Sequence, residues 1–273
     1  STRVRSSAAS DVYKRQLVCY TYFNGGIIME IYQKHNQTID TNKPNSRIVG
    51  KSKTAIWTQI FLWFGLGVLL SGIVGFVFPW ALSYMVSTVE MFETVYLYSI
   101  IGSAIVLFPI MIVFQVGAMK NKSILTAVCY VIYAIAFGIL LSSSLYYAGA
   151  ENSLYALLIT GGVMAILGVA GILLKDKLGT IAIISISLAT SALLISLVNF
   201  FFFNETIYWI SSIAMMVCVL LIVAFDFGSI SRSIDANIDM GNALIIYNAF
   251  KLYTDFLYIF VRILAIVASS RRK

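Results

Sequence analysis

Asp226, Asp255 and Arg262 are charged side chains set within apolar sequence, and any chemistry the chain performs should be sought there. Asp226 closes the sixth apolar span in VLLIVAFDFGSI. Asp255 and Arg262 stand in KLYTDFLYIFVRIL at 251–264, with Lys251 at its head. Ionisable groups inside a membrane are costly and rare, so each is a functional candidate. Arg262 lies seven residues beyond Asp255, two helical turns along and on nearly the same face. Each also has a plainer explanation. Asp226 could end a helix at the membrane interface, where a carboxylate costs little. Asp255 could pair with Lys251 one turn earlier, a contact worth a few tenths of a kcal/mol. Arg262 could snorkel to the far interface. Asp176, in the joint KDK, reads as a solvated charge. Taken together, the two aspartates suggest more. If they meet, they cannot both ionise cheaply, and the pair holds one proton between them. Such a dyad is a proton-controlled latch.

The elements that must position these residues are membrane helices. The chain is 60% hydrophobic and only 11% charged, with a mean hydropathy of +0.89. Soluble domains are about a quarter charged. This is the composition of an integral, polytopic membrane protein. Seven apolar segments are expected, at about 55–77, 95–116, 124–147, 153–174, 179–203, 207–225 and 243–268, each near the roughly 20 residues a crossing requires. The joints are short, so neighbouring helices run antiparallel in one bundle with no separate soluble domain. Pro79 is expected to end the first span and Pro109 to kink the second. The glycines at 65, 67, 72 and 75 and at 161, 162, 168 and 171 read as sites of close helix packing.

Four regions result. Residues 1–28 are read as a non-native leader, because SSAASDVYKRQ resembles translated adapter sequence and NGGIIM could be a ribosome-binding site read as protein ahead of a start at Met29. Residues 29–54 form a polar cytoplasmic tail, 55–268 the membrane domain, and 269–273 a basic C-terminal tail. The tail before the first span carries Lys34, Lys43, Arg47, Lys51 and Lys53. The joints then alternate: Glu90 and Glu93; Lys120 and Lys122; Glu151; Lys175 and Lys177; Glu205; Arg232. The positive-inside rule puts the N-terminus in the cytoplasm. The closing Arg271, Arg272 and Lys273 conflict with seven full crossings, so the last segment either crosses against the rule or enters without crossing.

Several function classes fall away. Cys19, Cys129 and Cys218 have no metal-ligand spacing and make no disulfide framework. The single histidine, His35, lies before the first span, which excludes catalysis by a buried histidine. The net charge of +7 is spread over short loops and tails, so nucleic acid is not an expected partner.

Five stretches carry a resemblance: YAIAFGILLSSSLYYAG at 133–149, TGGVMAILGVAGILLKDKLG at 160–179, LVNFFFF at 197–203, AFDFGSI at 224–230 and LYTDFLYIFVRIL at 252–264. In order and spacing they resemble the Bax inhibitor-1, or transmembrane Bax inhibitor motif, family in its bacterial branch. The resemblance implies an all-α, seven-helix membrane bundle with the last helix central and six around it. It implies a pH-sensitive calcium leak channel gated by two aspartates, at the positions of Asp226 and Asp255, with a shared proton closing the cytoplasmic end of the pore. Calcium would be the permeant ion, held transiently near the pair, with Arg262, Lys251 and Gln115 as supporting polar residues. Gln115, in FPIMIVFQVGAM, stands where the family often has an acidic residue, which implies weaker attraction for calcium. The location implied is a bacterial plasma membrane. No cofactor and no enzymatic activity are expected.

Three rival readings follow from the same residues. An intramembrane aspartyl protease also needs two aspartates on adjacent spans, but Asp255 follows Leu-Tyr-Thr rather than Gly-x-Gly, and the Pro-Ala-Leu element is missing. A secondary transporter would show an inverted repeat with paired broken helices. A non-conducting partner or regulator of a membrane protease is the alternative kept.

Overall fold

The computed structural model describes residues 52–86, 88–202, 204–236 and 240–270. The expected leader, most of the polar tail, His35, Cys19 and the terminal Arg271–Lys273 cluster lie outside the described residues. The described chain is built of helices: α1 (Lys53–Met85), α2 (Val89–Met119), α3 (Ser123–Leu173), a short 3₁₀ turn (Lys175–Lys177), α4 (Leu178–Phe202), α5 (Glu205–Asp235) and α6 (Asn242–Ser270). Among the described residues, six helices are long and apolar enough to cross a membrane.

Local sequence sets the helix starts. The Ser52 hydroxyl accepts from the Ala55 amide at 3.2 Å, capping α1. The Asn204 side chain accepts from the amides of Thr206 and Ile207 at 2.9 and 3.2 Å, capping α5. Two expected boundaries are corrected. Pro79 does not end the first span; α1 continues through it to Met85. A proline removes one helical donor, and membrane helices tolerate that loss because neighbouring groups re-satisfy the backbone. Pro109 likewise sits inside α2. The sixth segment does not stop at Asp226 either, since α5 runs on to Asp235.

The third and fourth expected segments are the two arms of α3. At 51 residues α3 is far longer than one crossing. Its break is a single residue, Gly149, with φ 78° and ψ 163°. Only glycine adopts that region readily. The joint expected over several residues is therefore compressed into one.

The helices bury one another unevenly. On α2 only Ser103, Phe114, Gly117 and Ala118 are buried. On α6 burial extends over most of the helix, from Ala243 and Ile245 through Phe250, Leu252, Tyr253 and Phe256 to Ile263 and Leu264. It packs against α1, α2, α3 and α5. An aromatic cluster joins it to its neighbours: Phe114 and Phe250 have centroids 4.2 Å apart, Tyr133 and Phe250 4.8 Å, and Phe64 and Phe256 5.6 Å. Tyr130 is fully buried and donates to the Trp63 carbonyl at 2.8 Å. Outward faces are apolar, with Leu62, Leu69, Phe108, Leu158 and Phe201 exposed. Contiguous apolar surface of this kind needs lipid, not water, around it.

Of the eight glycines read as packing sites, four are in close contact: Gly67, Gly75, Gly168 and Gly171. At Gly171 an added Cβ would stand 2.1 Å from the Ala224 carbonyl oxygen, and one at Gly228 would stand 2.7 Å from the Gly171 oxygen. This approach seats α5 against the second arm of α3 on both sides of Asp226.

Candidate functional site

Two contacts fix how α5 and α6 face each other. Lys251 on α6 pairs with Asp226 on α5, Nζ to Oδ1 at 2.5 Å. Further along, the Arg262 guanidinium donates to the Ser212 hydroxyl at 3.0 Å. The chain number rises on α6 while it falls on α5, so the two helices are antiparallel. Asp226 and Ser212 are 14 positions apart, about 21 Å along the helix; the pins therefore stand at two well-separated heights.

Asp226 is 4% exposed. It is a buried carboxylate nine residues short of its helix end, not at that end as the plainer sequence reading had it. Asp255 interacts electrostatically with Asp226, so the structure places the two sequence-predicted aspartates near each other. One Asp255 oxygen, Oδ2, is buried without a hydrogen-bond partner in the protein. Lys251 also interacts electrostatically with Asp255 and Tyr247, and its ammonium lies 6.0 Å from the Phe225 ring centroid.

The plainer sequence reading paired Lys251 with Asp255, one turn away on the same helix. The structure gives its short contact to Asp226 on the neighbouring helix instead. Side-chain spacing along one helix shows only same-helix partners, which is why this was missed. The consequence is a three-group cluster of two carboxyls and one ammonium. With one proton shared between the carboxyls and Lys251 charged, the cluster is electrically neutral. Losing or gaining that proton leaves a net charge in a largely buried place, which costs free energy unless the helices rearrange. The arrangement can therefore couple a proton to the α5–α6 contact.

The other sequence candidates are placed differently. Arg262 is half-buried, with its guanidinium also over the Tyr258 ring at 5.9 Å. It belongs to the second pin and not to the short Asp226 contact. Gln115 is exposed on α2, beside the buried Phe114. Asp176 is exposed, as the plainer reading had it.

One polar cluster was not singled out from sequence. Asp235, the last residue of α5, bridges Lys53 at 2.8 Å and Lys175 at 2.6 Å. It ties together the start of α1, the 3₁₀ turn after α3 and the end of α5. Lys53 and Lys175 both belong to basic segments in the alternation of loop charges, and that alternation was the available signal that they share one side. Cys129 and Cys218 are buried free thiols; Cys218 Sγ donates to the Ser185 carbonyl at 3.3 Å.

Comparison with known proteins yields one assignment. The family model described as inhibitor of apoptosis-promoting Bax1 matches residues 53–272, which takes in the six long helices of the described residues. No curated protein matches the chain.

Proposed function

Since the chain belongs to the Bax inhibitor-1 family, we propose that it is a pH-sensitive cation leak channel, with calcium as a permeant ion and the Asp226–Asp255 pair as its latch. The observation that carries this reading is the meeting of the two aspartates on adjacent antiparallel helices, with Asp226 buried and paired to Lys251. Two carboxyls brought together between adjacent helices suit a switch, because a change of charge there would act on the contact between the helices.

The wider architecture of the proposal is a bundle of seven crossings. The two arms of α3, on either side of Gly149, supply the third and fourth. The burial of α6 on several faces supports its place at the centre. The ion pairs that join Lys53, Lys175 and Asp235 support a common side for those three helix ends, as seven crossings require. Loop charge makes that side the cytoplasm. The membrane would be a bacterial plasma membrane, and the protein acts without enzymatic chemistry or a cofactor.

The test is calcium flux into dye-loaded proteoliposomes across about pH 5 to 8. Wild type should conduct in a pH-dependent manner, and Asp226→Asn and Asp255→Asn should each alter the flux and its pH profile. Flux at the empty-liposome level at every pH, from protein shown to be folded, would overturn the channel reading. It would leave a non-conducting partner of a membrane protease as the alternative.

A further inference from the structure

Lys251 has no role in a latch made of two aspartates alone, yet it makes the shortest charged contact in the site. Its ammonium occupies the position a bound cation would take: against Asp226 Oδ1 at 2.5 Å, close to Asp255, under the Phe225 ring. The groups around it are Asp226 on α5 and Asp255 and Tyr247 on its own helix. One carboxylate oxygen there, Asp255 Oδ2, is buried and unpartnered. The carboxylate pair thus already holds one cation, covalently tethered to α6, and has one oxygen left over.

We propose that Lys251 is a specificity-determining residue: a tethered cation that fills the Asp226–Asp255 pair and disfavours divalent ions there. Without its ammonium the pair becomes a weak divalent-cation site. This rests in part on the channel reading, because selectivity has meaning only if ions pass. The binding half does not depend on conduction.

The chemistry sets the expected size. Calcium takes six to eight oxygen ligands, and two carboxylates supply at most four, with water completing the shell. Among the described residues no group of three or more His, Cys, Asp or Glu side chains is gathered. A site bared here should therefore be of the weak kind, on the order of 10⁻⁴ to 10⁻³ M. The ammonium opposes it strongly. Even at the dielectric of water, a unit and a double positive charge about 5 Å apart disfavour each other by a factor of more than ten.

The experiment titrates calcium chloride, at matched ionic strength, against the thermal stability of the purified full-length protein in detergent. The variants are Lys251→Met, Lys251→Arg and the double variant Lys251→Met with Asp226→Asn. Lys251→Met should gain a saturable, calcium-dependent rise in Tm. Wild type, Lys251→Arg and the double variant should not. In proteoliposomes the calcium-to-potassium flux ratio of Lys251→Met should exceed that of wild type by at least about tenfold. A folded Lys251→Met protein with neither effect overturns the proposal, as does an effect shared by Lys251→Arg, which would trace it to packing instead of charge. If Lys251→Met does not fold, wild type still decides. Saturable calcium stabilisation of wild type that Asp226→Asn abolishes would show that the ammonium does not exclude the ion. Absence of flux from every version sinks the channel reading while the Tm titration continues to judge Lys251.

Discussion

Replacing Asp226 by Asn should cost far more stability than replacing Asp255 by Asn, although the two aspartates form one pair. Both changes are nearly isosteric, so packing is held constant and charge is what changes. Asp226 makes the 2.5 Å contact to Lys251 and is 4% exposed. At an effective dielectric of 20, unit charges at that separation attract by about 6–7 kcal/mol before desolvation is subtracted. Two effects reduce the net loss. The Lys251 side chain keeps 26% exposure, and Asp255, one turn along the same helix, can accept the released ammonium. What remains is close to the usual worth of a hydrogen bond between charged groups, about 2–3 kcal/mol. Asp255→Asn leaves the Lys251–Asp226 pair intact, removes the crowding of a second carboxylate, and gives a group whose Oδ2 counterpart already lacked a partner. Its cost should be below about 1 kcal/mol. Thermal unfolding of the purified protein in detergent reads the difference, since 1 kcal/mol is worth about 2–4 °C in a chain of this size. Asp226→Asn should lower Tm by about 4–12 °C and Asp255→Asn by no more than about 4 °C. Equal losses, or a larger one at Asp255, would refute the assignment of Lys251 to Asp226.

Three further outcomes are expected. Gly171→Ala should destabilise by about 1–3 kcal/mol or more, because its Cβ would meet the Ala224 carbonyl oxygen at 2.1 Å and push α5 from α3; Tm reads it. Gly149→Ala should cost about 1–3 kcal/mol through backbone strain alone, since φ 78°, ψ 163° is held there in open space; a stability change near zero would mean the break relaxes without glycine. Arg262→Ala should lower stability by about 1–3 kcal/mol through loss of its bond to Ser212 while leaving the pH profile of flux unchanged; an altered profile in a protein of normal stability would contradict its structural role.

Much of the bundle was legible because its cause is local. Runs of apolar residues set where helices lie, and sparse charges set their joints, so the segments expected at 95–116 and 243–268 fall inside α2 and α6. The ends were less legible. The run FGSISRSID after Asp226 is polar enough to look like a loop, yet it continues α5 because it packs, through Gly228, on the second arm of α3. Pro79 shows the same limit: a proline expected to stop a helix does not. The break at Gly149, by contrast, falls within the joint expected between 147 and 153. At the site, the identities of Asp226 and Asp255 were readable because a carboxylate within apolar sequence is conspicuous. The partner of Lys251 was not, since it depends on which helix lies alongside. The placement of Gln115 was not readable for the same reason: its sequence neighbourhood does not say that Phe114 is buried and Gln115 exposed.

The placement of the charges on α6 follows from what α5 offers. Lys251 and Asp255 near one end meet Asp226, and Arg262 toward the other meets Ser212. Three ionisable groups on one apolar helix would be expensive facing lipid; here each is answered by the same neighbour. The two pins differ in kind. A guanidinium stays charged at any physiological pH, so the Arg262 contact holds throughout. On the proposed reading the carboxyl pair gains or loses one proton and changes its charge, so that contact does not. On the proposed reading, a proton then works at one end of a helix pair whose other end is fixed, and α5 and α6 part by pivoting, not by sliding. Cross-linking engineered cysteines at the two heights would separate these motions: a pivot changes the pH dependence of cross-linking only at the Asp226 end, and a slide changes both.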